Sequence, residues 1–219
     1  MITAVIPTLN AAETLPRCLS ALSGARVVVV DGESADKTPE IAAALGARVV
    51  MAPRGRGGQL AAGADVALAD GAEWLLLLHA DTVLDPGWRA EANRVMATSG
   101  KAGFFQLAFD DASRGARRVA RLANWRARIF GLPYGDQGLL ISATLYRAVG
   151  GIRPLPLMED VDLARRLGRA RLTPLAARAV TSADRYRRDG WWLRPVRNLA
   201  LLGLFLAGVP AARLVRAYR

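Results

Sequence analysis

The chain has 219 residues, 52% of them hydrophobic, and a formal net charge of +11. That length suits one domain of ordinary size, and the apolar content excludes a disordered chain. The single Cys18 excludes an internal disulfide framework and a cysteine-based zinc site.

From the N-terminus, residues 2–7 read as a strand, with no basic region and cleavage site ahead of them, so a cytoplasmic protein is expected. Asn10 followed by Glu13 resembles a capping box for a helix carrying Leu15, Cys18, Leu19 and Leu22 at helical spacing, which makes Cys18 a small core residue. Residues 26–30 form a second buried strand ending at Asp31. Thr38-Pro39 offers an N-cap and an N1 proline for a helix that Gly46 stops. Arg48–Met51 is a third strand, and the glycine-rich turn 55–58 leads into a helix over 59–68. Residues 74–78, Trp-Leu-Leu-Leu-Leu, lack any polar interruption and read as a strand buried on both faces.

This alternation predicts an α/β fold, a mostly parallel central sheet flanked by helices. Beyond Pro86 come a helix to about residue 98, an antiparallel strand at Ala102–Phe109, and a basic amphipathic helix over 116–129. A short strand at 138–141, a helix over 143–149 and a helix at Glu159–Leu167 complete the domain, residues 1–190. The tail, 191–219, reads as an amphipathic helix packed on the domain or on a membrane surface. Its apolar stretch, 199–209, falls short of the roughly 18 residues a bilayer span needs.

Arginine carries nearly all the positive charge, concentrated in 114–128, 165–178 and 185–219. That balance is compatible with phosphate-rich ligands, an anionic membrane surface or nucleic acid, and does not choose among them. No nucleic-acid recognition motif accompanies it.

The chemistry-bearing residues gather where strands end. His79-Ala80-Asp81 emerges at the carboxyl end of the 74–78 strand, where open α/β sheets bind ligands. Asp81 with phosphate oxygens suffices for Mg²⁺ or Mn²⁺, and His79, the only histidine, stands beside it as a candidate ligand. Asp31 at the end of the valine strand can accept hydrogen bonds from a base or ribose, or shape its loop with Ser34 and Asp36. Arg56, in Arg54-Gly55-Arg56-Gly57-Gly58, can meet a phosphate or base carbonyl; the segment is not a P-loop, because the Gly-Lys-Ser/Thr element is missing. Glu159-Asp160 is favoured at a helix N-terminus by the macrodipole, or supplies a general base. Gly135-Asp136-Gln137-Gly138 makes a turn or lines an acceptor pocket. Arg185–Arg188 with Trp191 and Trp192 mixes cations and aromatics suited to a diphosphate, a sugar or a lipid interface.

In order, Val5-Ile6-Pro7-Thr8-Leu9-Asn10-Ala11-Ala12-Glu13, Val30-Asp31-Gly32-Glu33-Ser34-Ala35-Asp36-Lys37-Thr38, His79-Ala80-Asp81 and Glu159-Asp160 resemble family 2 glycosyltransferases over roughly residues 2–190. The resemblance extends to a compact bacterial subgroup labelled radical-SAM- or selenodomain-associated transferase 2, or arsenosugar biosynthesis glycosyltransferase. It implies a GT-A fold, a UDP- or GDP-sugar donor, a divalent metal, inversion at the anomeric carbon, and a small-molecule or lipid-linked acceptor. By position it implies nucleotide contacts from Pro7, Thr8, Asn10, Glu13, Asp31, Arg56 and Asp81, with the metal at Asp81 and His79. It implies Asp160 as catalytic base beside Glu159, and acceptor contacts from Asp136, Gln137 and Trp191. Trp191, with Arg187 and Arg188, matches the family's Gln-x-x-Arg-Trp motif only loosely. Two departures stand out: His79 replaces the first Asp of Asp-x-Asp, and Asp31-Gly32 replaces a double Asp. The rival expectations are a nucleotidyltransferase, which favours a glycine- and basic-rich loop after the first strand that 7–10 lacks, and a non-catalytic nucleotide- or membrane-binding protein.

Overall fold

The structure is a computed structural model that describes residues 1–218. Its first part follows the predicted alternation: β1 (Ile2–Thr8), α1 (Leu15–Ala21), β2 (Arg26–Asp31), α2 (Thr38–Ala44), β3 (Arg48–Met51), α3 (Arg56–Ala69) and β4 (Trp74–Leu77). These strands run parallel in the order β3-β2-β1-β4. Side chains alternate between faces with period two, as a pleated strand requires. Ala4, Ile6, Leu76 and Leu78 enter one buried cluster with Leu15, Leu19 and Trp88. Val5, Val28, Val30, Leu75 and Leu77 enter another with Leu60, Ala64 and Leu163. Helices on both sides of the sheet follow from strands that are apolar on both faces.

The second part mixes strand directions. After β5 (Thr82–Leu84) and α4 (Trp88–Met96) come β6 (Ala102–Phe109), α5 (Arg114–Phe130), β7 (Leu139–Ser142), α6 (Ala143–Ala148), α7 (Glu159–Leu167) and β8 (Leu172–Thr181). The sheet continues from β4 as β7-β6-β8-β5, with β7 antiparallel to β4 and β6, β8 parallel to β6, and β5 antiparallel to β8. The sheet is therefore mixed, and less parallel than the sequence alternation implies. α8 (Asp184–Asp189), α9 (Leu193–Leu206) and α10 (Ala211–Tyr218) close the chain. Leu201, Leu202 and Leu214 pack on Leu157, Met158 and Val161, so the tail covers the approach to α7. No helix among the described residues is long and apolar enough to cross a membrane.

The capping-box expectation fails: α1 starts at Leu15 after Thr14, with no side-chain cap. Asn10 instead takes a left-handed backbone, φ 51°, and its Oδ1 accepts from Ala35 N at 2.8 Å, tying the first loop to the second. Thr38 is the first residue of α2, not its cap, and its hydroxyl accepts from Ala11 N at 2.8 Å. Cys18 is wholly buried, and burial pushes its thiol up to about 12, in keeping with an inert core residue.

Candidate active site

The chain leaves β1 toward β2 on one side and returns from β3 to β4 on the other, so the loops after β1 and β4 part at their carboxyl ends. A cleft of ≈ 440 Å³ opens there, lined by Pro7, Thr8, Asn10, Arg56, Asp81 and Arg185 among others. An adjoining cavity of ≈ 100 Å³ shares Arg56, His79, Asp81 and Arg185 with it and adds Asp136 and Asp160. Asp81, just after β4, and Asp160, in the first turn of α7, thus face one space despite their separation in sequence.

Each side chain is held by its own element. Asp81 Oδ1 accepts from the Thr181 hydroxyl of β8 at 3.3 Å and from Thr82 at 3.4 Å. Met158 precedes α7 in the left-handed conformation, φ 64°, an uncommon state for a non-glycine residue, with its side chain locked under the tail helices. That corner aims Asp160 into the cavity. Asp160 Oδ2 accepts from Gly135 N at 2.7 Å and Oδ1 from Val161 N at 2.8 Å. Only glycine fits at 135, because a Cβ there would lie 2.5 Å from His79 Nε2 and 3.3 Å from Asp160 Oδ2. Gly57 has a similar role: a Cβ would meet the Leu155 carbonyl oxygen at 2.5 Å, so its absence brings the start of α3, and Arg56, against the loop before α7.

Arg56 bonds Glu159 through Nε, and its Nη2 lies 3.8 Å from Asp160 Oδ2. Burial, opposed by Arg56, raises the Glu159 carboxyl. Burial also lowers the pKa of His79, with Arg56 adding to the effect, so the imidazole is neutral at ordinary pH; its Nε2 is buried with no hydrogen-bond partner among the described residues. The Asp136 carboxyl is pushed up to about 6 by burial, against the pull of Arg126. Among the described residues no cluster of three or more His, Cys, Asp or Glu is arranged to hold a metal ion. The donor set still fits a hard cation brought in with a diphosphate: the Asp81 carboxylate faces the cavity, and a neutral imidazole nitrogen stands two residues away.

Several predicted site residues take other places. Asp31 is wholly buried; its oxygens accept from Thr8 Oγ1 at 2.9 Å, Ser34 Oγ at 2.6 Å and Ser34 N at 2.8 Å, so it builds the loop and does not line the cleft. Thr8 lines the cleft, but its hydroxyl is turned to Asp31. Glu13 is exposed and outside the cleft lining. Gln137 is buried, donating to the Phe105 carbonyl at 3.1 Å and to Asn124 Oδ1 at 3.2 Å, which makes it a clamp and not an acceptor contact. Trp191 stacks on Tyr186 with centroids 5.1 Å apart and presses on Gly115, away from the cavity; packing claims it. Arg187 is bound to Asp110, Asp111 and Asp184, so of the basic run it is Arg185 that reaches the cleft. Arg194 and Asn198 of α9 also line the cavity; no local motif marks them, because the tail reaches the site only through the fold.

The sequence pattern of glycosyl transferase family 2 matches residues 3–141, more than half of the chain. The chain belongs to glycosyl transferase family 2. A stretch of 88 residues is 41% identical to an uncharacterised glycosyltransferase of Mycobacterium tuberculosis (strain H37Rv), covering 39% of this chain and 39% of that protein. The match therefore spans well under half the length of that curated relative. Among solved structures, TarS 1–349 of S. aureus superposes with a TM-score of 0.65 at 17% identity, over 99% of this chain and 68% of that one. Glucosyl-3-phosphoglycerate synthase of M. tuberculosis, solved with Mn²⁺, UDP-glucose and phosphoglyceric acid, gives 0.53 at 21% identity, over 80% and 69%. The mannosyltransferase PcManGT of Pyrobaculum calidifontis, solved with GDP-mannose and Mn²⁺, gives 0.59 at 17%, over 98% and 78%. At such identities the likeness is one of fold, and that fold is the GT-A arrangement the motifs imply. Family membership favours the glycosyltransferase expectation over the nucleotidyltransferase one.

Proposed function

We propose that this protein transfers a glycosyl group from a UDP- or GDP-sugar to an acceptor hydroxyl in one displacement, with Asp160 as base. The observation that carries the reading is the shared cavity of Asp81 and Asp160, which adjoins a cleft at the ends of β1 and β4. The nucleotide lies in that cleft, with Arg185 and Arg56 facing its diphosphate. Asp81, with His79 beside it, would hold a divalent cation. Such a cation, when bound, neutralises charge developing on the departing diphosphate.

Asp160 is oriented by the Gly135 and Val161 amides and receives the acceptor proton. The acceptor oxygen bonds to the anomeric carbon as the carbon–oxygen bond to the diphosphate breaks. The electron pair leaves on the nucleoside diphosphate, and configuration inverts without a covalent enzyme intermediate. Glu159, bonded to Arg56 and buried, acts as a positioning residue for that arginine.

The test is incubation with Mn²⁺ and a panel of nucleotide sugars, measuring free nucleoside diphosphate. Slow hydrolysis of one donor without acceptor is expected, with Asp81→Asn weakening it. Thermal stabilisation by nucleotide with no turnover of any donor would overturn the reading.

A further inference from the structure

An apolar groove abuts the catalytic cavity. Between α5 and α9 runs a groove of ≈ 390 Å³ whose walls are almost wholly apolar, with Leu122, Trp125, Phe130, Leu199, Leu202 and Leu206 along its length. Leu122, Trp125, Phe130 and Leu199 are each more than half exposed, at 57%, 54%, 55% and 55%. Large apolar side chains gathered on both walls of one groove mark a binding surface, whereas scattered ones would not. Its inner end is formed by Tyr134, Asp136, Tyr186 and Asn198, and these same residues line the cavity that holds Asp160.

At that junction the lining changes character. Arg126 Nη2, Asp136 Oδ1 and Asn198 Oδ1 are buried there, and none has a hydrogen-bond partner among the described residues. Leaving such groups unpaired is costly, and three together at the mouth of a catalytic cavity are suited to a polar ligand group. A hydrocarbon wall that ends in polar atoms beside a general base is complementary to one kind of molecule.

The geometry points to an amphipathic alcohol as acceptor, its hydroxyl-bearing head at Asp136, Asn198 and Asp160 and its hydrocarbon chain along the α5–α9 groove. This rests on the glycosyltransferase reading and names the acceptor class for the same site. The head's oxygen bonds to the anomeric carbon, its proton passes to Asp160, and the nucleoside diphosphate leaves with the electron pair. A docked protein face would have no need of an inner end shared with the catalytic cavity.

The test uses the full chain and n-alkyl glucosides of increasing chain length, below their micelle concentrations. Binding is read without donor from the emission of Trp125, with Trp125→Phe as the blank. Affinity is expected to rise about three- to fourfold per methylene until the groove is filled, and Leu122→Gln and Leu199→Gln, both at exposed positions, should flatten that rise. With the donor identified above, the longer glucosides should accelerate diphosphate release in the same order.

Affinity independent of chain length, or a rise unchanged in both glutamine variants, would overturn the proposal. So would chain-dependent binding that never accelerates release from a donor the protein hydrolyses. A concentration-dependent dimer abolished by the same two variants, with no alkyl glucoside bound, would assign the groove to a second copy of this chain. Because binding is read without donor and hydrolysis without acceptor, failure of this inference and failure of the glycosyltransferase reading are separable.

Discussion

At the scale of single residues, the site depends on a missing side chain as much as on the charged ones. Gly135 lets the turn approach His79 and Asp160 closely, and its amide orients the Asp160 carboxylate. Gly135→Ala should cost about 1–3 kcal/mol in an unfolding titration through overpacking. It should also lower kcat for transfer at temperatures where the variant is fully folded; an unchanged kcat would detach the turn from the base. Asp136 gives a prediction with a pH signature. Burial raises its carboxyl to about 6, so the folded state binds a proton that the unfolded chain has released. Its contribution to stability is fully present below the ordinary value of 3.8 and is lost as pH rises through about 6. Asp136→Asn should therefore gain stability relative to the parent between pH 4 and 7, on the order of 2–3 kcal/mol. Urea melts across that range should show the gap opening with pH, and a constant gap would contradict the cause assigned to the shift.

At the scale of elements, the open edge of β6 explains how the Gly135–Gln137 side of the cavity is built. β7 pairs with β6 only as far as Phe104, which leaves later backbone groups on that edge without a strand. Asn124 of α5 fills the gap, accepting from Leu107 N at 2.8 Å and donating to Leu107 O at 3.1 Å, and Gln137 does the same for Phe105 O. Asn124→Leu strands both Leu107 groups and should cost about 2–4 kcal/mol, with a raised KM for acceptor as the 135–137 turn loosens. Retained stability in a thermal melt would show that water replaces the clamp. The same edge shows where sequence is legible and where it is not. β1, β2 and β4 are apolar on both faces and declare themselves by composition alone. β8 escapes notice because Pro174, alanines and Arg178 have weak strand preference, although Leu175, Ala177, Ala179 and Thr181 alternate inward once β6 is beside them. Asp81 and Asp160 are legible because strand-end and helix-start positions fix where they point. The inward turn of Asp31 and the clamp at Gln137 depend on partners distant in sequence, which no local pattern carries.

At the scale of the whole molecule, the GT-A sheet supplies the cleft proposed for the donor, and the C-terminal helices close the side proposed for the acceptor. Leu201 and Leu202 of α9 bury against Leu157 and Met158, the loop that aims Asp160. Leu201→Ala should cost about 2–5 kcal/mol and lower transfer even where the variant is folded, since the cavity it leaves lies under that loop. Full activity in the folded variant would make the tail a mere cover. The central claim is that acids from two ends of the domain serve one displacement, Asp81 toward the donor and Asp160 toward the acceptor. The measurement that tests it most directly pairs donor affinity with turnover in Asp160→Asn. Calorimetric donor affinity within about twofold of the parent, with transfer reduced about 100- to 10,000-fold, is the result expected of a lost general base. Transfer at the parental rate would contradict it.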